Sequence, residues 1–340
     1  MTPRTPETAR HRVMLGIALV SVYLIWGSTY LAIFKAVRPD HGAAIPPLLM
    51  GAMRFAIAGG LLFGLFVRRP APDGRPDPLG WPQWRATAVV GLALLLGGNG
   101  AVMLAEQRIP SGVTAVLVAA VPLWAALIGA LRRTDRLSRA GVVGLVVGFA
   151  GVVILVNPSA GHDRVDTVGA LLVIGGALSW AIGSYYSRGA PMPRRPLVMT
   201  GMEMLWAAAA MGVVSLVTGD AGRFHPTEVG AGAWLALAYL IVFGAMVAFT
   251  AYVWLLRNAP LSLATTYAYV NPVVAVFLGA LLNGEPLTAR VGVATTVIVI
   301  GVALIVTRPR AAVPAGSEAA SAVTPLAEAE LIHGRPRASS

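Results

Sequence analysis

Residues 110–135 read PSGVTAVLVAAVPLWAALIGALRRTD, and residues 260–285 read PLSLATTYAYVNPVVAVFLGALLNGE. Laid side by side at an offset of 150, the chain aligns with itself without a gap from Pro110 to Val156 and from Pro260 to Val306. Pro110 meets Pro260, Pro122 meets Pro272, Gly129 meets Gly279, Asp135 meets Glu285, and Gly151 meets Gly301. A hydrocarbon core about 30 Å thick needs ~20 apolar residues of helix, so each stretch opens with one membrane span and leads into a second. Two weaker pairs extend the match. Leu48-Leu49-Met50-Gly51-Ala52-Met53-Arg54 runs beside Leu197-Val198-Met199-Thr200-Gly201-Met202-Glu203, and Gly27-Ser28-Thr29-Tyr30 beside Gly183-Ser184-Tyr185-Tyr186. The long register reads as a duplication.

Working outward with the same ruler, apolar runs fall near 13–36, 45–67, 84–105, 111–131, 139–156, 168–187, 197–217, 232–256, 262–282 and 289–307. Five spans per half is an odd number, so the second half enters the bilayer from the opposite side. The expected fold is an all-α polytopic membrane protein of ten transmembrane helices in two inverted five-helix repeats. Its parts are a cytoplasmic N-terminus over 1–12, a first repeat over 13–156, a second over 168–307, and a disordered cytoplasmic tail over 311–340. The loops are too short to fold as soluble domains.

Composition agrees. Hydrophobic residues make up 56% of the chain and charged residues 12%, with mean hydropathy +0.73; soluble domains carry about 45–50% and about 25%. The net charge of +11 would suggest nucleic acid in a soluble chain, but here the positives sit between apolar runs and serve as topology signals. Placing the N-terminus in the cytoplasm leaves six outside (Lys35, Arg38, Arg108, Arg164, Arg223, Arg290), Arg54 inside a span, and the other positives in inner segments. Both termini are therefore expected to be cytoplasmic, in a cell membrane. Arg4, Arg10 and Arg12 precede an apolar run too long for a cleaved signal. Cysteine is absent, which excludes disulfides, thiolate metal sites and cysteine nucleophiles.

Arg54 and Glu203 are the ionisable side chains deepest in the spans, where a charge costs about 2.5–3.5 kcal/mol even on the lower scales. They occupy matching repeat positions. Arg54 suits an anionic group or sets the local field; Glu203 suits a cationic substrate or a proton. A structural ion pair between the two satisfies the same physics. Trp26 and Tyr30 share a helix face four residues apart, as do Trp180 with Ser184 and Tyr267 with Asn271. These groups would stack on and hydrogen-bond a solute, or else pack helices. Asn99, in Gly97-Gly98-Asn99-Gly100, either lines the pathway or bonds a neighbouring helix. Pro122 and Pro272 each free a carbonyl one turn back, and their symmetric placement favours gating bends. Glu106, Gln107 and Glu285 are expected as solvated caps, and Gly144 with Gly148 as a helix-packing face.

Several of these residues are shared with a known family. Trp26-Gly27-Ser28-Thr29-Tyr30, Met53-Arg54-Phe55, Pro110-Ser111-Gly112-Val113-Thr114-Ala115, Val121-Pro122, Asn271-Pro272 and Gly284-Glu285-Pro286-Leu287 make the chain resemble EamA-type members of the drug/metabolite transporter superfamily. The resemblance covers roughly residues 13–307. It implies a ten-helix exporter of amino acids, metabolites or toxic compounds, and it implies nothing about Glu203, which sits where the family varies.

The expected function is a secondary transporter exporting small metabolites or drugs by alternating access, an inverted-repeat design that recurs in such carriers. An uncoupled facilitator fits equally well. A lipid-modifying intramembrane enzyme is a remoter alternative, for no His-Glu-x-x-His, Gly-x-Ser-x-Gly or Walker loop is present and every Asp lies outside the spans. The partners expected are a small-molecule substrate, the lipid bilayer and protons as a candidate coupling ion, with no nucleic acid, metal or cofactor. Monomer and homodimer are both compatible with ten spans.

Overall fold

The computed structural model describes residues 9–69, 79–132, 138–156, 165–259 and 266–306. The expectations for residues 1–8, for the turn-rich loop from Pro70 and for the tail lie outside them. Among the described residues the chain forms ten successive helical segments: α1 Ala9–Val37, α2 Pro47–Phe66, α3 Trp81–Ala105, α4 Ser111–Leu131, α5 Arg139–Val156, α6 Thr167–Ser187, α7 Pro196–Val217, α8 over 231–258, α9 Tyr267–Asn283 and α10 Ala289–Val306. No strand forms among these residues; the nearest thing is one isolated bridge between Ala43 and Val229. The first eight segments are long and apolar enough to cross a membrane, while α9 and α10 are apolar but shorter over their described residues. Leu24, Val146, Leu171, Leu216 and Phe277 are exposed, and a bilayer is the medium that covers such a surface at no cost.

Local chemistry sets the helix ends. Proline stands in the first turn of α2, α3 and α7, where its missing N–H costs nothing. Asp166 caps α6 by accepting from the Gly169 amide at 2.7 Å. Arg195, 8% exposed, donates to the carbonyls of Phe66, Val67 and Arg69, so a cation meets the negative end of α2.

The segments pack in definite pairs: α2 on α7, α5 on α10, α4 on α9, α1 on α8 and α9, and α6 on α3 and α4. Glycine allows the closest approaches. A β-carbon on Gly301 would lie 2.5 Å from the Cα and N of Gly148, and one on Gly144 2.6 Å from the Gly301 carbonyl oxygen. Gly144 and Gly148 thus pack helices within one chain. Likewise, a β-carbon on Gly59 would sit 3.0 Å from the carbonyl oxygen of Gly201, across the α2–α7 contact. Gly301→Val therefore forces α5 and α10 apart. The expected loss is about 3 kcal/mol, the upper part of the usual overpacking range, read as a drop in the thermal unfolding midpoint of the purified protein.

The two symmetric prolines behave differently. α4 breaks after Val118: Ala119 and Ala120 have ψ near −10°, and the helix restarts at Val121 with Pro122 in its first turn. Proline 122 offers no N–H to the Val118 carbonyl, so the interruption falls one turn back. Pro272 lies inside α9, which runs unbroken from Tyr267 to Asn283, so the interruption seen in α4 has no counterpart there. Both α3 and α8 contain a π-helical stretch, Leu92–Gly100 and Leu240–Val247. The first coincides with the Gly97-Gly98-Asn99-Gly100 run. Wide turns of this kind are rare and occur often at functional sites.

Candidate functional site

The sequence-predicted residues fall into two groups. The first surrounds Gly244, in the π-helical turn of α8. Its carbonyl accepts from the Trp26 indole at 3.2 Å, and a β-carbon there would lie 3.0 Å from the Thr29 methyl and 3.3 Å from Arg54 Nη2. A residue with no side chain therefore makes room for a guanidinium brought by α2 and an indole brought by α1. Trp26 packs its ring on Tyr252 and Tyr267, both with centroids 5.1 Å away, and on Phe249 at 6.0 Å. Ser28 and Tyr239 share a 2.6 Å hydroxyl contact beside this group. Asn271, one turn beyond Tyr267, is 7% exposed, and its Oδ1 has no partner among the described residues. α9 reaches α1 here because Gly27 faces the Asn271 carbonyl and Val274.

The second group lies between α3, α6 and α7. Trp180 packs on Gly98, Ser179 Oγ donates to the Ala93 carbonyl at 2.8 Å, and Gly91 lies against the backbone of Glu203. Glu203 is 6% exposed. Asn99 is half-buried on the π-helical stretch of α3; Ser184 is half-buried on α6, where its carbonyl accepts from Ser187 at 2.9 Å.

Arg54 is 6% exposed, and its Nε and Nη1 have no hydrogen-bond partner among the described residues. Its guanidinium lies 5.0 Å from the Phe55 ring. No ion pair joins it to Glu203 among these residues. The interhelical salt bridge that sequence left open is therefore not formed, and α2 and α7 are held by their glycines instead.

Sequence reasoning missed the acids at the Pro110 end. Glu285 accepts from the Ser111 amide at 3.0 Å, from Ser111 Oγ at 2.7 Å and from the Gly112 amide at 2.9 Å. Its carboxylate fills a slot between Gly112 and Gly279, where a β-carbon would come within 3.3 and 2.5 Å of Oε2. An anion thus neutralises the free amides that open α4, and the Pro110-Ser111-Gly112 and Gly284-Glu285-Pro286 motifs form one clamp. Glu106, expected as a solvated cap, is fully buried, and neither carboxylate oxygen has a partner among the described residues. A helix opening on Pro-Ser-Gly with no acid of its own was the available signal that a distant carboxylate would come to it.

This arrangement defines a polytopic helical membrane protein whose interior carries polar groups with no partner among the described residues. The EamA-like transporter family matches it twice, over residues 14–157 and 167–307. The chain belongs to that family. It is 40% identical over 301 residues to the uncharacterized inner membrane transporter YedA of Escherichia coli (strain K12), covering 87% of this chain and 92% of the relative. It is 26% identical over 296 residues to the uncharacterized transporter YoaV of Bacillus subtilis (strain 168), covering 86% and 95%. One crystal structure aligns over 85% of this chain and 95% of its own at a TM-score of 0.56 and 23% identity, which bears on the fold alone. The protein is a multi-pass membrane transporter of the EamA and drug/metabolite class.

Proposed function

We propose that the chain is a secondary carrier that exports small metabolites, amino acids or drugs by alternating access between two inverted five-helix repeats, with both termini in the cytoplasm. The double family match and the helix pairing support the repeat. Exchanging α1–α5 with α6–α10 turns α1–α9 into α6–α4 and α1–α8 into α6–α3, and leaves α2–α7, α4–α9 and α5–α10 as they are; all of these are observed contacts. The π-helical stretches of α3 and α8 exchange in the same way.

The observation that carries the substrate reading is Arg54. A buried cation with two nitrogens that find no partner among the described residues, opposite a glycine and beside Trp26, is arranged to receive an anionic group, most simply a carboxylate. The aromatic group of Trp26, Tyr252 and Tyr267, with Tyr30 on the Trp26 face, takes the rest of the solute. Asn271 supplies a free acceptor, and Pro122 and the break before it give α4 a point at which to bend. In the second group Glu203, with Trp180, Ser184 and Asn99, receives a cationic group when that half of the pathway opens. Glu203→Gln is expected to raise KM for cationic and zwitterionic solutes by about tenfold, the value of one charge-assisted interaction near 1.4 kcal/mol, and to leave purely anionic solutes unchanged. Initial uptake rates for the three solute classes check this.

The test of the function is uptake into proteoliposomes of labelled amino acids, organic acids and cationic drugs, with and without a pH gradient. Saturable uptake raised by the gradient is expected. Saturable uptake indifferent to pH identifies a facilitator, and no saturable uptake across the panel removes the reading.

A further inference from the structure

Glu106 directly follows the last residue of the α3 span, Trp81–Ala105. It is fully buried, and both oxygens lack partners among the described residues. An ionised carboxylate in that setting is very costly, whereas the protonated form is tolerated. The Glu285 carboxylate from the α9–α10 loop is bound to Ser111, five residues further along the chain, and α1, which carries Tyr30, packs against the end of α3. Among the described residues no salt bridge reaches Glu106. Lys35 of α1 is bound to Asp40 at 2.7 Å, and Arg108 lies 3.8 Å from Asp166 at the start of α6. Arg54 of α2 stands against Gly244 of α8. Glu285 is held by the opening amides of α4. Burial, together with that nearby negative charge, holds the Glu106 carboxyl well above the usual carboxylate range.

We propose that Glu106 is a proton-binding site: protonated, it lets the Pro110 ends of α3 and α4 close against α1 and the α9–α10 loop, and ionised, it is driven from Glu285 and parts them. Tyr30 stands on α1 one turn beyond Trp26, whose ring packs on Tyr267 at 5.1 Å, and so connects this acid to the aromatic group. Release of the proton and opening of the site are thereby linked. The sign follows from the closed form binding the proton more tightly than the open one: opening is suppressed in the ordinary carboxylate range and promoted as pH rises above it. Use of this proton in transport rests on the carrier reading above; the protonation and the movement do not.

Two readouts on purified protein in lipid nanodiscs separate these claims. The first is the infrared carbonyl band of protonated carboxyl groups, followed from about pH 5 to about pH 9 in the native chain and in Glu106→Gln. The second uses the absence of native cysteine: Thr114→Cys, buried one turn into α4, is labelled with a maleimide, its rate normalised to the exposed Gln107→Cys. The expected result is a band lost in Glu106→Gln, and Thr114→Cys labelling that rises at least threefold with pH beside Glu106 and stays flat beside Gln. A band retained in Glu106→Gln, or labelling that rises alike in both, overturns the proposal. Should Glu106→Gln fail to fold, Glu106→Asp keeps a titrating carboxyl, and a shifted midpoint of the labelling curve is expected; an unmoved midpoint overturns it. Gradient-driven uptake that survives unchanged in Glu106→Gln overturns the coupling. Absence of uptake in the native protein overturns the carrier reading and leaves both readouts standing.

Discussion

Arg54→Met is expected to raise the thermal stability of the protein and to abolish saturable uptake of carboxylate-bearing solutes. The two effects have one cause. A guanidinium buried to 6% exposure, with Nε and Nη1 unpartnered among the described residues, is held at a cost of about 2.5–3.5 kcal/mol on the lower membrane scales. Methionine fills a similar volume with no charge, so a gain of about 1–3 kcal/mol is expected, as when buried ionic groups are replaced by apolar ones. The same change removes the donor fork on which an anionic substrate would rest, and each charge-assisted hydrogen bond is worth about 1.5–3 kcal/mol. Loss of a bidentate contact thus corresponds to about 100-fold or more in kcat/KM. Arg54→Lys keeps the charge but not the fork, and an intermediate loss is expected. A residue kept only for packing would behave in the opposite way, losing stability with its contacts. Unfolding midpoints and initial uptake rates on the same preparations check both arms.

Glu285→Ala is expected to be the most destabilising single substitution at the Pro110 end, by about 3–5 kcal/mol. Three charge-assisted hydrogen bonds reach this one carboxylate, each worth about 1.5–3 kcal/mol, and water reaching the freed amides offsets part of their sum. Alanine would leave the Ser111 and Gly112 amides without an acceptor and empty the slot between Gly112 and Gly279. Glu285→Gln retains an oxygen acceptor but not the charge that faces the helix dipole, so about 1–2 kcal/mol is expected. An effect of equal size for the two variants would show that the volume of the side chain, not its charge, holds α4 to α9. The thermal unfolding midpoint in detergent is the readout.

Much of the architecture was legible from periodicity and length. The runs read at 45–67, 139–156, 168–187 and 197–217 correspond to α2 Pro47–Phe66, α5 Arg139–Val156, α6 Thr167–Ser187 and α7 Pro196–Val217. Apolar length is a property of contiguous residues and needs no knowledge of partners. The break before Pro122 was visible as a free carbonyl, but the integrity of α9 through Pro272 was not, because neighbouring helices can support a proline in one half and not in the other. The π-helical turns were legible only as weakness at Gly97-Gly98-Asn99-Gly100; Leu240–Val247 carries a single glycine and gave no such signal.

The site was legible in kind more than in arrangement. Arg54 and Glu203 stand out by charge alone, yet matching repeat positions do not place two side chains together, and the structure leaves them in separate groups. Gly244 and Tyr252, which complete the first group, look in sequence like ordinary members of a hydrophobic span. Glu106 was misread as a solvated cap because its position at a span end suggests water. Its burial depends on α1 and on the α9–α10 loop, about 75 and about 180 residues away in the chain, and separations of that length are invisible to a local pattern.

Arg54 is the proposed receiver of the substrate. The measurement that tests it most directly is the initial rate of counterflow uptake of a labelled carboxylate solute, chosen from those the native protein transports, into matched proteoliposomes of the native chain and Arg54→Met. Saturable uptake is expected in the first and a rate at the protein-free background in the second, from a variant at least as stable to heat. Saturable uptake of that solute by Arg54→Met at the native rate would contradict it.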